Sequence, residues 1–132
     1  MSESVVTAEP HHSTEHTRKL LGNNKISTVP VVDSDGQPVG VVSASDLAHD
    51  LKAGAPISTI MTKKVYVVPK YEDVSIAARV MRNHNIHHVV VTHEKKVVGI
   101  LSAFDLLKLV EDHRYVAKNP PTKSSRKGTK RH

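Results

Sequence analysis

GVVSASDL at residues 40–47 and GILSAFDL at residues 99–106 are one phrase written twice. Both run Gly-x-x-Ser-x-x-Asp-Leu with apolar residues in matching places. Working outward, Ile26 aligns with Ile86 at an offset of 60, which falls to 59 at Gly40 and Gly99 because the second turn is one residue shorter. A lone unit of about sixty residues buries too little surface to be robustly stable. The chain of 132 residues therefore reads as two half-domains that share a core.

Each copy reads strand, helix, strand, turn, strand, helix, an α+β arrangement. In the first, Val5–Thr7 is expected as a short strand, residues 13–22 as a helix and Val29–Val32 as a strand. The turn DSDGQP follows, with Gly36 supplying positive φ, and leads into Val39–Val42. The first helix is thinly anchored, with only Leu20 and Leu21 as clear apolar residues and Gly22 as its stop. LKAGAPISTIMT carries Gly54 and Pro56, linker punctuation before an apolar turn at Ile57–Met61. In the second copy, Val65–Val68 precedes a helix whose Val74, Ala77, Ala78 and Met81 recur at helical spacing. Val89–Val91, the turn THEKK and Val97–Leu101 complete it. The expected division is repeat 1 over 1–53, a linker over 54–60, repeat 2 over 61–112 and a tail over 113–132.

In both copies the Ser stands where a strand meets a helix, so Ser-x-x-Asp is a capping box: Ser43 or Ser102 at the N-cap, Asp46 or Asp105 at N3. Capping alone accounts for these residue types. A second use is open to them, because a helix start presents free N–H groups to electron-rich oxygens. A carboxylate there can also accept both hydrogens of a vicinal diol such as that of ribose.

The pattern ISTVPVVDSDGQPVGVVSASDL, echoed by IHHVVVTHEKKVVGILSAFDLL, resembles the cystathionine β-synthase (CBS) domain, and two copies resemble a CBS pair, or Bateman module. The resemblance covers about residues 1–112. It implies β-α-β-β-α units packed through their sheets with pseudo-two-fold symmetry, and clefts between them for adenosine-type ligands: AMP, ATP, NAD or S-adenosylmethionine. It also implies a homodimer that regulates a partner protein, with no obligatory cofactor. In the fuller of two implied clefts, Ser43, Ser45 and Asp46 would hold ribose and phosphate, while Thr62, Val65, Tyr66, Val67, Ile86 and His87 wrap the base, His87 standing near phosphate. The other would use Ser102 and Asp105, with Val5, Val6, Thr7, Ile26, Ser27 and Pro30 on the base side. Its counterpart of Met61–Thr62 falls on Met1–Ser2. Family members that bind polyphosphates often carry Lys or Arg between the Ser and the Asp. Here those places hold Ala44, Ser45, Ala103 and Phe104, which implies few fixed charges for a phosphate chain; Phe104 in the second cleft favours an uncharged tail such as a thioether, or no ligand there, and it equally suits a dimer interface or an exposed helix face.

Composition narrows the rest. With no Cys there is no disulfide framework, thiolate site or Cys nucleophile. No apolar run approaches the roughly 20 residues that span a bilayer, and the expectation is a cytoplasmic protein with no membrane role. The net charge of +6 is local: seven of the 19 Lys/Arg lie between Arg114 and His132, leaving 12 basic residues against 13 acidic ones before them. That Pro/Ser/Lys-rich tail is expected to be disordered, either as a solubilising segment or as an arm for nucleic acid. Among ten histidines, His12 and His16 stand four apart, but no Cys or orienting carboxylate completes a metal motif, and none is expected. No motif pairs Ser43 or Ser102 with a base, so no enzyme is expected.

Overall fold

The structure, a computed structural model, describes residues 5–48 and 54–112. Helix α1 (Thr14–Asn24) precedes strands β1 (Thr28–Val32) and β2 (Pro38–Ser43) and the short helix α2 (Ala44–Leu47). A single 3-10 turn, Ile57–Thr59, bridges to β3 (Val67–Pro69), α3 (Val74–His84), β4 (His88–His93), β5 (Lys96–Ser102) and α4 (Ala103–Asp112). β1 and β2 form one antiparallel pair, whereas β3 runs parallel to β4 and β4 antiparallel to β5 in the second sheet.

The repeat is visible bond by bond. Ala8 bridges Val31 in parallel as Val68 bridges Val91, sixty residues on. The expected strand Val5–Thr7 is not formed: this edge is a single bridge at Ala8, whose N–H donates to the Pro30 carbonyl and whose carbonyl accepts from Val32. Ala44 donates to the Ser27 carbonyl and Ala103 to that of His87, each at 2.8 Å. The equivalent helices α1 and α3 each end in a left-handed residue, Lys25 (φ 55°) and Asn85 (φ 54°). α1 therefore runs past Gly22 to Asn24, and a lysine takes the cap that glycine was expected to supply.

α1 holds its place with few apolar side chains because Thr14 and Thr17 are buried beside Leu21. The Thr17 hydroxyl donates to the Ser13 carbonyl at 2.9 Å, which satisfies the polar atom while its methyl packs inward. α3 turns Ala77 and Met81 inward with Ile76 and Val80 partly buried, whereas Val74 and Ala78 are exposed. Ala77 and Met81 thus face the core as the spacing predicts, while Ile76 and Val80 complete the stripe in place of Val74 and Ala78.

Hairpin geometry follows residue chemistry. Gly36 sits at φ 83° in the first turn, where the Asp33 carboxylate accepts from the N–H groups of Asp35 and Gln37. In the second, Glu94 and Lys95 both adopt positive φ between the paired His93 and Lys96, as a two-residue hairpin turn of this hand requires. One apolar cluster fills each repeat, and a third joins them: Val32 with Val90 and Val97, flanked by Val5, Val41 and Val65.

Candidate functional site

Extended chain alternates its side chains, and this decides what the main cleft contains. Thr62, Lys64 and Tyr66 share one parity and line a cavity of about 710 Å³ between the repeats. Val65 and Val67 have the other parity. Val65 packs into the inter-repeat cluster and Val67 is exposed, so neither borders the cavity as expected. Thr62 is held against β2 by two backbone bonds, Val41 N–H to its carbonyl at 3.0 Å and its own N–H to Val41 at 2.9 Å. Gly40 makes that approach feasible: a methyl there would lie 2.7 Å from Met61 Sδ and 3.0 Å from the Thr62 carbonyl oxygen.

The same cavity gathers Ser43, Ser45, Asp46, Ile86 and His87. Ser43 and Asp46 close a full capping box: Ser43 N–H donates to Asp46 Oδ2 at 2.9 Å, and Asp46 N–H donates to Ser43 Oγ at 3.3 Å. The box engages Oδ2, and no described residue donates to Oδ1. Ser45 Oγ lies 2.8 Å from Ser43 Oγ. Tyr66 stacks on His84 with centroids 4.2 Å apart, which fixes the phenol ring at the cleft margin.

A second cavity, of about 560 Å³, brings Ser102 and Asp105 together with Ile26 and Ser27. Its capping box is also complete, with Ser102 N–H donating to Asp105 Oδ2 at 2.9 Å and Asp105 N–H donating to Ser102 Oγ at 3.0 Å. Burial pushes the Asp105 carboxyl up, but the hydrogen bonds from Ser102, with Lys108 nearby, leave it below the usual carboxylate range. Val5 and Val6 line an adjoining depression of about 440 Å³ that shares Ile26, Thr28 and Ile100 with this cavity. Thr7 borders none of these spaces, and Pro30 is fully buried within β1, so neither side chain stands where a base was expected. Met1 and Ser2 lie outside the described residues, as does the tail from His113 onward.

The clefts share a partition. Ser27, Thr28, His87 and His88 line both, two residues from each repeat at the same offset. Both histidines therefore border the clefts. Half-buried His88 has its pKa lowered from 6.5 first by burial and then by His87, against an opposing pull from Asp105. Sequence reasoning missed Lys64, Asn85 and Lys25 as cleft residues. Lys64 was recoverable from parity with Thr62 and Tyr66. Lys25 and Asn85 needed the helix ends, and Gly22 obscured that of α1.

Elsewhere, Glu9, His11 and His12 place ligand-type atoms within 4.8 Å of one another, and the His12 and His16 rings are 4.5 Å apart. His12 Nδ1 already accepts from the Glu9 N–H at 3.0 Å, which leaves the proton of the neutral ring on Nε2. Burial, then His16 and His11, lowers the His12 pKa against Glu9. No helix among the described residues is long and apolar enough to cross a membrane.

Comparison with known proteins gives this geometry a family. The CBS domain model matches residues 1–53 and again 57–112. The CBS domain pair of protein MJ0100, solved with 5′-methylthioadenosine and S-adenosyl-L-methionine, is 30% identical with a TM-score of 0.77, covering 86% of this chain and 93% of that one. A CBS domain protein from Pyrobaculum aerophilum, solved with AMP, is 28% identical at a TM-score of 0.72, covering 84% and 95%. Protein MJ1232 of Methanocaldococcus jannaschii is 31% identical over 110 residues, 82% of this chain but 37% of its own length. The chain spans between 24% and 37% of the first curated relatives it matches. Matched twice along its length by one family model and sharing the fold of solved pairs, the chain belongs to the CBS domain family, as a tandem pair.

Proposed function

We propose that this CBS pair is a regulatory module that binds adenosine-containing metabolites, of the AMP, ATP, NAD or S-adenosylmethionine class, in the clefts between its repeats. It acts without catalysis, in the cytoplasm, as a homodimer that controls a partner protein. The observation that carries the reading is Asp46: it stands on the wall of a cleft built from both repeats, with one carboxylate oxygen engaged by the cap and the other not engaged by any described residue. A carboxylate so placed can accept the hydroxyls of a ribose, while Val41, Ile86 and Val90 offer apolar faces to a flat base. The volume of about 710 Å³ falls in the range of small-molecule sites. Relatives solved with AMP or S-adenosyl compounds support the ligand class.

Regulation follows from the site's position. A ligand touching both repeats biases their arrangement only as far as it binds one arrangement better than another, and the dimer surface would report that bias to a partner. A rival reading, a scaffold whose Ser-x-x-Asp boxes are only caps, rests on the completeness of both boxes. Thermal melting with AMP, ATP, NAD and S-adenosylmethionine separates the two. The sensor reading expects at least one to raise the Tm in a concentration-dependent way, because it binds the native state alone. No shift with any of them would favour the scaffold.

A further inference from the structure

Among the described residues, the walls of the larger cleft carry one acidic side chain, Asp46, two histidines and a single lysine, Lys64. Lys64 is the one lysine or arginine among the described residues of this cleft, a side chain that is charged near neutrality. It makes no ion pair among the described residues. Its ammonium lies 5.8 Å from the Tyr66 ring centroid, a cation–π contact that steadies it beside a residue of the same wall. A nucleoside needs apolar walls and an acceptor for its diol, and nothing in a nucleoside calls for a cation. Lys64 is surplus to that task.

Resting on the adenosine reading above, we propose that Lys64 makes the larger cleft select ligands that carry an anion, such as a 5′-phosphate, over the uncharged nucleoside. The equivalent position of repeat 1, sixty residues earlier, is Ser4. The smaller cleft takes its lysine from a different element, Lys25 at the end of α1, where the larger has Asn85. It also has Phe104 where the larger has Ser45. The two clefts thus place charge differently, and anion selection through Lys64 belongs to one of them. Among the described residues, the larger cleft offers a second or third phosphate no further lysine or arginine.

The test is calorimetric titration of the full chain with adenosine and with AMP, comparing wild type, Lys64→Met and Lys64→Arg. Methionine keeps the length and apolar stem while removing the charge. Loss of a charge-assisted contact should weaken AMP by about tenfold or more, leave adenosine within about twofold, and be largely restored by arginine, since the contact depends on charge. Raising the salt concentration should narrow the wild-type preference for AMP. An equal loss for both ligands would assign Lys64 a structural role, and an unchanged AMP affinity would dismiss it; either overturns the inference while sparing the adenosine reading. A wild-type protein that binds neither compound overturns both.

Discussion

His88 is a side chain at which burial and charge pull in different directions. Burial and His87 lower its pKa below 6.5 while Asp105 opposes them. The unfolded chain therefore takes up this proton before the folded one does, and stability falls as pH drops through about 6.5. His12, also lowered by burial and by its histidine neighbours, acts in the same direction. Replacing His88 with Gln should reduce, without abolishing, the fall in Tm between about pH 7.5 and about pH 5.5. Identical declines for variant and wild type would show that His88 contributes nothing to it. At this scale the sequence was legible where local geometry settles the matter. The Ser43–Asp46 and Ser102–Asp105 boxes form bond for bond as their spacing requires. It was less legible where a segment's direction matters: resemblance assigned both parities of 62–67 to the base, but extended chain turns only Thr62, Lys64 and Tyr66 to the cleft.

Among the elements, β2 and the segment after the 3-10 turn depend on each other. Thr62 reaches the cleft because it pairs with Val41, and the chain comes that close because residue 40 has no side chain. Gly40→Ala should cost about 1–3 kcal/mol, the usual range for overpacking, since Met61 can swing aside but the Thr62 carbonyl is backbone. Urea unfolding measures the loss, and an unchanged midpoint would mean that the Met61–Thr62 segment moves freely. The strands of both hairpins could be read from valine runs bounded by turns. α1 was harder, because Thr14 and Thr17 look polar in sequence yet are buried. Its end differs from the expected one because Gly22 lies, exposed, inside the last turn of α1, and Lys25 accepts the left-handed conformation. The Val5–Thr7 strand failed because a single bridge at Ala8 replaces the ladder.

For the whole molecule, the duplicated phrase foretold the main feature: two equivalent units whose third apolar cluster, Val32 with Val90 and Val97, belongs to neither alone. Duplication also explains why there are two clefts and why Ser27, Thr28, His87 and His88 stand between them. The copies then differ in the residues that meet a ligand, with Ser45 against Phe104 and Asn85 against Lys25. Such differences carry no periodicity, so pattern alone does not rank them. The account depends on Asp46 serving a ligand as well as its own helix. Titrating AMP into wild type and Asp46→Asn, an isosteric change that keeps an oxygen for the cap but halves the acceptors, tests this most directly. The account predicts that the variant folds with nearly the wild-type Tm and that AMP binding to the larger cleft weakens by about tenfold or more; an unaltered affinity in a folded variant would contradict it.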